Sequence, residues 1–403
     1  MSDADTAARP TIMTERRTTV IGALLTAIGP VSMAVYTPAM PELVRAFGTT
    51  ESAIKLSLSL YFGGFALAQL LAGPVSDAYG RKKASIAFLT IYVLGSLIAA
   101  MAIDVDWILA GRLIQGIGAS VGVTVARAAV RDQFLGIQAA RIMNMIGIIL
   151  AIGPALGPTI GGLALSAFGW QSIFLLLIAF GAIALLTCIF ALKETAIPDR
   201  SRLQPVTLVK TYASLITDLR FLFPSLILGG SIGALYAQGT MLPFVMIDVV
   251  GLSPTQFGLG MLAQTGSYLA GSITLRMISG RVSGPAAVAI GIGFCGTGGF
   301  LMLLSVHLLD PTFLSIMVPV GICTFGIAFL TPHVVTSGLA AFPKVAGSAS
   351  ALMGFIQMGG GFLGGLVAAS FANPLTSFGT IIPVMEFTAV AAYLAHRFIS
   401  RRQ

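Results

Sequence analysis

The stretch "GPVSDAYGRKKA", Gly73–Ala84, places an aspartate, an arginine and two lysines in a short segment between two long apolar runs. Glycine allows the chain to turn tightly, and an acid beside a base can form an ion pair. Charge confined between two apolar runs predicts a turn at a membrane surface that joins two membrane-spanning helices. The rest of the sequence has to supply the other spans.

The composition indicates a membrane protein. Of the 403 residues, 56% are hydrophobic and 9% are charged, against about 25% charged residues in soluble domains. The net charge is +8, but the basic residues lie mainly between apolar runs, where they orient the spans, so we expect no nucleic-acid partner. Cys188, Cys295 and Cys323 are far apart inside apolar runs, so we expect no metal site and no cofactor.

Apolar runs of the required length recur along the chain. About twelve of them reach the roughly 20 residues that cross a bilayer, and none alternates as the strands of a membrane barrel do. The sequence therefore predicts an all-α membrane protein with about twelve transmembrane helices. The predicted helices cover residues 18–40, 52–72, 84–103, 107–130, 139–165, 170–192, 221–247, 255–279, 284–305, 311–335, 345–371 and 376–398.

Lysine and arginine are distributed unequally between the loops. Only Arg45 and Lys55 belong to the loops after odd-numbered helices, whereas the other loops and the two tails hold nearly all the rest. Positive charge concentrates on the cytoplasmic side of a membrane protein. Both termini are therefore expected in the cytoplasm.

The longest polar stretch between spans, Lys193–Lys210, divides the chain near its middle. The halves also resemble each other, because "SGRVSG" after the eighth predicted helix is a reduced counterpart of the charged turn. Two six-helix repeats form a plan typical of transporters with a central site. We expect a tail (1–17), an N-terminal bundle (18–192), a linker (193–220), a C-terminal bundle (221–398) and a second tail (399–403).

Two further stretches have unusual chemistry for a membrane span. "GRLIQGIGAS" puts Arg112 inside the fourth helix, with Gln115 one turn later on the same face. A buried arginine is a functional-site hypothesis, although Arg112 could also extend to the outer surface near Trp107. "GIILAIGPALGPTIGG" combines small residues that allow close helix contact with prolines that bend the helix. These helix-packing residues are Gly153, Pro154, Gly157, Pro158, Gly161 and Gly162.

The charged turn and these two stretches resemble the signature motifs of the major facilitator superfamily, the last resembling a motif that marks exporters. Within that superfamily the chain most resembles the Bcr/CflA-type drug:proton antiporters, in "YTPAMP" (36–41), "VRDQF" (130–134), "WQSIF" (170–174), "KET" (193–195) and "FPKVAGSASAL" (342–352). The resemblance implies a monomer of two pseudo-symmetric halves in the inner membrane of a bacterium, which moves a small molecule by alternating access, coupled to protons. It also implies that a cluster around the charged turn acts as a gate. The gating residues are Gly73, Asp77, Gly80, Arg81, Arg131 and Asp132.

The chain departs from this family at one position. The family usually carries an aspartate two residues before "YTPAMP", and here Ala34 occupies that position. The usual carboxylate for a proton or a cationic drug is therefore absent from the first helix. Glu386, deep in the last helix, is the candidate proton-coupling residue, and the Asp77/Asp132 cluster is the alternative. Glu386 could also be a protonated acid bonded to a neighbouring helix.

Polar, aromatic and methionine side chains within the spans are candidates for a substrate site, although each could instead form an interhelical hydrogen bond or simply pack. The candidate substrate-binding residues are Met33, Tyr36, Tyr61, Arg112, Gln115, Asn144, Gln238, Met241, Gln264, Tyr268 and Gln357.

The predicted function is export of small, largely apolar drugs of the phenicol or bicyclomycin kind. A dedicated exporter of one metabolite is an alternative. A membrane enzyme or sensor is disfavoured, because no catalytic or nucleotide-binding motif is present.

Overall fold

A computed structural model describes residues 12–400, so residues 1–11 and 401–403 of the predicted tails lie outside the described residues. The described chain is helical almost throughout. Its α-helices are α1 Glu15–Tyr36, α2 Met40–Phe47, α3 Glu51–Tyr79, α4 Arg81–Ala100, α5 Val105–Ala119, α6 Val121–Gln133, α7 Gly136–Phe168, α8 Gln171–Phe190, α9 Pro205–Thr217, α10 Leu219–Phe244, α11 Pro254–Ile278, α12 Gly284–Leu308, α13 Phe313–Ala340, α14 Ala346–Ala369 and α15 Pro374–Ser400.

Ten stretches within the described residues are long and apolar enough to cross a membrane. Three of them continue from one helical element into the next: α1 reaches α2 through the 3₁₀ turn Thr37–Ala39, α5 continues into α6, and α10 ends in the π turn Val245–Val249. The helices α7 and α11, with 33 and 25 residues, correspond to two further predicted runs. The chain is thus an all-helical protein with many potential membrane spans.

Side chains at the helix ends explain where several helices begin. Thr50 accepts a hydrogen bond from the Ala53 amide at the start of α3, and Asp104 accepts one from the Trp107 amide at the start of α5. Such caps satisfy backbone donors that have no partner inside the helix. At the start of α11 the Ser253 and Gln256 side chains cap each other's backbone.

The buried apolar residues form separate clusters that follow the order of the sequence. The largest cluster draws on residues 13–192 together with Phe244, and two others draw on residues 234–382 and 215–392. We call α1–α8 the N-terminal set and α10–α15 the C-terminal set. The two sets meet where α3 packs along α14 and α7 packs along α11, and this arrangement positions the site.

Candidate functional site

A cavity of about 380 Å³ lies between the two sets, a size within the range of small-molecule sites. The helices α1 and α7 form one wall, and α10, α11 and α13 form the other. Among the residues that the structure describes, no Asp, Glu, Lys, Arg or His lines this cavity. The site can therefore enclose an apolar or uncharged molecule, but these residues offer no ion-pair partner.

The candidate substrate-binding residues separate into two groups in the structure. Met33, Gln238, Gln264 and Tyr268 line the cavity, and so do Ala34, Pro154 and Pro158. The described lining does not include the other candidates. Those candidates are Tyr36, Tyr61, Arg112, Gln115, Asn144, Met241 and Gln357.

Arg112 lies behind the cavity wall, inside the N-terminal set, and is fully buried. Its guanidinium carbon lies 4.3 Å from the ring centre of Tyr36 and 4.2 Å from that of Tyr61, so two aromatic faces enclose the cation. It donates to the amide oxygen of Gln115, and the amide nitrogen of Gln115 donates to the Ser96 hydroxyl over 2.6 Å. The Nε and Nη2 atoms of Arg112 have no hydrogen-bond partner among the described residues.

Tyr36 and Tyr61 connect this buried cation to the helices around it. The Tyr36 hydroxyl lies 2.5 Å from the Ser57 hydroxyl on α3, and the Tyr61 hydroxyl donates to the carbonyl of Gly29 on α1 over 3.0 Å. Met33, which does line the cavity, precedes Tyr36 by one helical turn. The Arg112 cluster therefore fixes the segment of α1 that forms part of the cavity wall.

The charged turn between α3 and α4 forms an ion-pair cluster. Arg81 is buried, pairs with Asp77, and its Nε donates to Asp132 over 3.1 Å. Glu194, which sequence reasoning gave no role, accepts hydrogen bonds from the backbone amides of Arg81 and Lys82 over 2.7 and 3.2 Å. Glu194 thereby compensates the unpaired amides at the start of α4. In the sequence, only its place in the stretch "KET", which resembles the family, pointed to this residue.

Gly80 is required at this turn for two reasons. Its φ of 97° with ψ of 152° is a conformation that side chains rarely adopt. A Cβ at this position would also lie 2.3 Å from Glu194 Oε2. Of the other gating candidates, Gly73 lies inside α3, and Arg131 at the end of α6 is exposed.

The glycines of α7 lie against both sets. A Cβ added to Gly157 would lie 2.5 Å from the Ala34 Cβ, and one added to Gly161 would lie 2.3 Å from the Val35 carbonyl oxygen. Gly153 lies against Val31 in the same way, and Gly162 faces the Pro254 carbonyl of α11. Such close backbone approach is what small residues allow in membrane helices.

The two sets also contact each other at both ends of the bundle. At the end far from the termini, Thr159 of α7 donates to the Gly258 carbonyl of α11 over 3.0 Å, and Arg45 lies 3.6 Å from Asp248. At the end that carries the termini, Arg127 of α6 donates to Ser350 of α14 over 3.1 Å. We call these the far end and the terminal end.

The linker helix α9 joins the two sets at the terminal end. Tyr212 donates to the Leu70 carbonyl of α3 over 2.7 Å. Burial raises the pKa of Tyr212 to about 12, so its hydroxyl remains a neutral donor at physiological pH.

Two buried charged side chains lie away from the cavity and from the charged turn. Lys55, assigned to a loop by the count of basic residues, lies in α3 and is fully buried, 3.1 Å from Glu51 and above the Phe244 ring of the other set. Glu386 of α15 is 1% exposed, beside the thiols of Cys295 and Cys323. Its Oε2 atom has no hydrogen-bond partner among the described residues.

The sequence and the fold of the chain are both similar to those of known proteins. The sequence model of the Major Facilitator Superfamily matches residues 22–365. The chain is 29% identical over 381 residues to the Uncharacterized MFS-type transporter YdgK of Bacillus subtilis, covering 92% of each chain. It is 27% identical over 321 residues to the Multidrug transporter MdfA of Yersinia pestis, covering 80% of this chain and 78% of the relative.

The fold is also similar to that of a solved D-xylose-proton symporter. The two superpose with a TM-score of 0.71 over 94% of this chain and 96% of the symporter, at 14% sequence identity. At that identity the likeness concerns the fold alone.

Proposed function

The chain belongs to the major facilitator superfamily, and from that premise we propose that it is a secondary active exporter of small, largely apolar compounds that works by alternating access. Transporters of this family carry small molecules, often with proton coupling, and the chain is a multi-pass membrane transporter and not an enzyme. The observation that carries the proposal is the uncharged cavity between the two sets, in a chain with a relative named a multidrug transporter.

The architecture that we propose has twelve spans in two pseudo-symmetric halves of six, covering residues 18–192 and 221–398. Two observations support it: the apolar clusters follow the sequence, and α7 and α11 supplement the ten apolar stretches. The excess of Lys and Arg on one side supports a cytoplasmic location for both termini, in a bacterial inner membrane. The protein would act as a monomer in the bilayer.

We assign the protein to the Bcr/CflA type of drug:proton antiporter and expect uncharged or weakly acidic substrates. Ala34, which replaces the family's carboxylate, belongs to the cavity wall. A cation that entered this cavity would lose its hydration and find no carboxylate among the described lining residues. Phenicol-like compounds therefore suit the site better than quaternary ammonium compounds.

The candidate site residues then have different roles. Met33, Gln238, Gln264 and Tyr268 would touch the substrate because they line the cavity. Arg112 would hold the cavity segment of α1 through the Tyr36 and Tyr61 rings. The cluster of Asp77, Arg81 and Asp132 would act as a gate at the terminal end by coupling α3, α4 and α6.

Glu386 is our candidate for the residue that carries the proton. It is the only Asp or Glu among the described residues whose side chain is buried, and carboxyl groups buried inside membrane helices often form part of proton pathways. During transport this carboxyl would have to exchange its proton with water from alternate sides of the membrane.

Transport in proteoliposomes tests the proposal. We expect wild-type protein to move chloramphenicol against its gradient when an opposing pH gradient is imposed, and not to move tetraphenylphosphonium. Glu386→Gln should still bind chloramphenicol but should lose substrate-driven proton movement, whereas Asp310→Asn, an exposed control, should behave as wild type.

Three results would count against parts of this proposal. Unchanged proton exchange in Glu386→Gln would eliminate Glu386 as the carrier. Robust transport of tetraphenylphosphonium would overturn the argument from charge. Flux of a single cellular metabolite, without any drug flux, would favour a dedicated exporter.

A further inference from the structure

Free hydrogen-bonding groups lie on only one wall of the described cavity. Tyr236 and Gln238 of α10 and Gln264, Thr265 and Tyr268 of α11 all line it, and none has a hydrogen-bond partner among the described residues. Gln264 and Tyr268 are four residues apart, so they share one face of α11. Two amides, two phenols and a hydroxyl thus remain available to a bound molecule.

The other hydroxyls of the described lining are already engaged. Thr37 donates to the Ala34 carbonyl over 3.0 Å, Thr331 donates to the Ile327 carbonyl over 2.6 Å, and Thr324 donates to the Val320 carbonyl. Each bond stays close along the chain, so these threonines present mainly their methyl groups.

The opposite wall is apolar. Pro30, Met33 and Ala34 of α1 and Pro154 and Pro158 of α7 contribute to it. None of these side chains carries a hydrogen-bond donor, and only the thioether sulfur of Met33 is a weak acceptor. The cavity therefore has an apolar wall and a hydrogen-bonding wall that face the same space.

Gln264 has the strongest unmet requirement on the polar wall. Its side chain is 7% exposed, and its Oε1 atom is enclosed without a partner. A buried polar atom without a hydrogen bond is costly, and a rare orphan of this kind calls for a ligand or water that satisfies it. Because an amide offers both a donor and an acceptor, Gln264 can satisfy a hydroxyl in either orientation of its head group.

We propose that the cavity binds an uncharged amphipathic molecule with its hydroxyl-bearing edge against α10 and α11 and its apolar face against α1 and α7. In this arrangement Gln264 is the residue that selects for the hydrogen-bonding edge. The inference rests on the proposed function, since it names the class and the orientation of the substrate at the same site. A substrate whose hydroxyl groups are blocked would leave the Gln264 oxygen unsatisfied in this orientation and bind more weakly.

Binding to purified full-length protein in nanodiscs tests this inference without any transport step. The probes are chloramphenicol, which is uncharged and has two hydroxyl groups, and its diacetyl ester, in which both hydroxyls are blocked. We expect wild-type protein to prefer chloramphenicol by about tenfold, the size of one buried hydrogen bond in recognition. Gln264→Leu should lose this preference while its affinity for the ester changes by less than about twofold.

Two further variants control for folding and for general damage to the cavity. Gln264→Glu keeps oxygen acceptors and should retain the preference. Met33→Leu, on the apolar wall, should change the affinities for both probes by the same small factor. Thermal unfolding of each variant identifies any that is not folded, and if Gln264→Leu is not folded, Gln264→Met, which also lacks the amide, replaces it with the same expected loss of preference.

Several outcomes would overturn the inference. One is a preference for chloramphenicol that survives in Gln264→Leu. Another is an equal loss of affinity for both probes in that variant. The third is wild-type protein that binds neither probe, or binds both with equal affinity. These outcomes are separable from failure of the proposed function. A binding preference without flux of any compound would reject export alone, and flux without this preference would reject the orientation alone.

Discussion

Buried charged side chains and free hydrogen-bonding groups are distributed differently between the two helix sets. Three of the four buried charged side chains in the described chain, Lys55, Arg81 and Arg112, belong to the N-terminal set, and Glu386 alone belongs to the C-terminal set. The free hydrogen-bonding groups of the cavity show the opposite distribution, since those on described residues lie on α10 and α11 of the C-terminal set. Most of the buried charges and the free hydrogen-bonding groups of the cavity thus lie in different sets.

This difference suggests that the buried charges hold the helices in place while the polar cavity wall binds the substrate. Buried cations held by rings and carboxylates fix the shape of a helix bundle, because moving them without their partners is costly. Uncharged amides and phenols at a cavity wall can exchange one hydrogen-bond partner for another at little cost. Substitutions at the buried charges of the N-terminal set should therefore change the rate of transport, whereas substitutions on the polar wall of the C-terminal set should change affinity.

The largest effect is expected at Arg112. Arg112→Ala removes a fully buried guanidinium from between two aromatic rings and leaves the Gln115 amide oxygen without its donor. A desolvated cation–π contact contributes about 2 kcal/mol, and a buried acceptor without a donor costs about 1–3 kcal/mol. We expect chloramphenicol transport to fall by about 100-fold, with binding affinity changed by less than about threefold because Arg112 lies outside the described cavity lining. Flux in proteoliposomes and binding in nanodiscs measure the two quantities separately.

Two companion variants sharpen this prediction. Arg112→Lys should retain at most about a tenth of the flux, because a point charge does not replace the planar guanidinium between the rings. Arg16→Ala removes an exposed arginine near the start of α1 and should leave flux unchanged. If Arg112→Ala transported normally, or lost affinity in proportion to flux, the division between the sets would be wrong.

Arg112 and Gln264 also show which parts of the site could be predicted from the sequence and which could not. Long apolar runs identified the helices, because lipid requires continuous apolar length, and a charge inside a run identified Arg112 as unusual. Which side of a helix faces the cavity is set by packing between helices distant in sequence. The same signal of a polar residue in a span therefore selected Gln264, which lines the cavity, and Asn144, which is exposed outside the described lining.

Two charged residues were missed for related reasons. Lys55 was counted with the loop after the first helix although it falls within the predicted helix 52–72, and that count gave no sign that α3 buries it against the C-terminal set. Glu194 is separated by more than a hundred residues from the α4 amides that it caps, and no local spacing indicates such a partner. The turn itself was recognisable because Asp77, Gly80 and Arg81 are adjacent in the sequence.

An intermediate effect is expected at Asp77. Asp77→Asn keeps the shape of the side chain and removes the charge that pairs with Arg81, while Asp132 remains as a second partner. Because charge-assisted hydrogen bonds contribute about 1.5–3 kcal/mol and one is retained, we expect flux to fall by roughly three- to tenfold. Expression, helix content by circular dichroism and chloramphenicol affinity should remain close to wild type.

The matched control is Asp106→Asn, an exposed acid in the first turn of α5 at the far end. It should leave flux unchanged. An Asp77→Asn variant with wild-type turnover would remove the gating role of the cluster, and one that unfolded would show that Asp77 stabilises the fold instead.

The smallest effect is expected where the two sets meet at the far end. Arg45 and Asp248 form an ion pair of 3.6 Å between them, with side chains 58% and 35% exposed. Exposed pairs contribute only about 0–1 kcal/mol and weaken as salt rises. Arg45→Ala should therefore increase opening at the far end slightly, and the charge-swapped double variant Arg45→Asp/Asp248→Arg should reverse the increase.

Opening at the far end can be followed at Thr255, which lies 3.1 Å from Ser166 where α11 meets α7. In a background without the native cysteines, a membrane-impermeant thiol reagent should label Thr255→Cys up to about threefold faster when Arg45 is replaced by Ala, and high salt should remove the difference. Asp218→Ala is the control, because its partner Arg220, which holds the pKa of Asp218 below its ordinary value, lies two residues away in the same set. That variant should not alter labelling.

A tenfold or larger change on loss of Arg45 would mean that an exposed pair governs opening. Control of the rate would then belong to the contact between the sets and not to the buried charges of the N-terminal set.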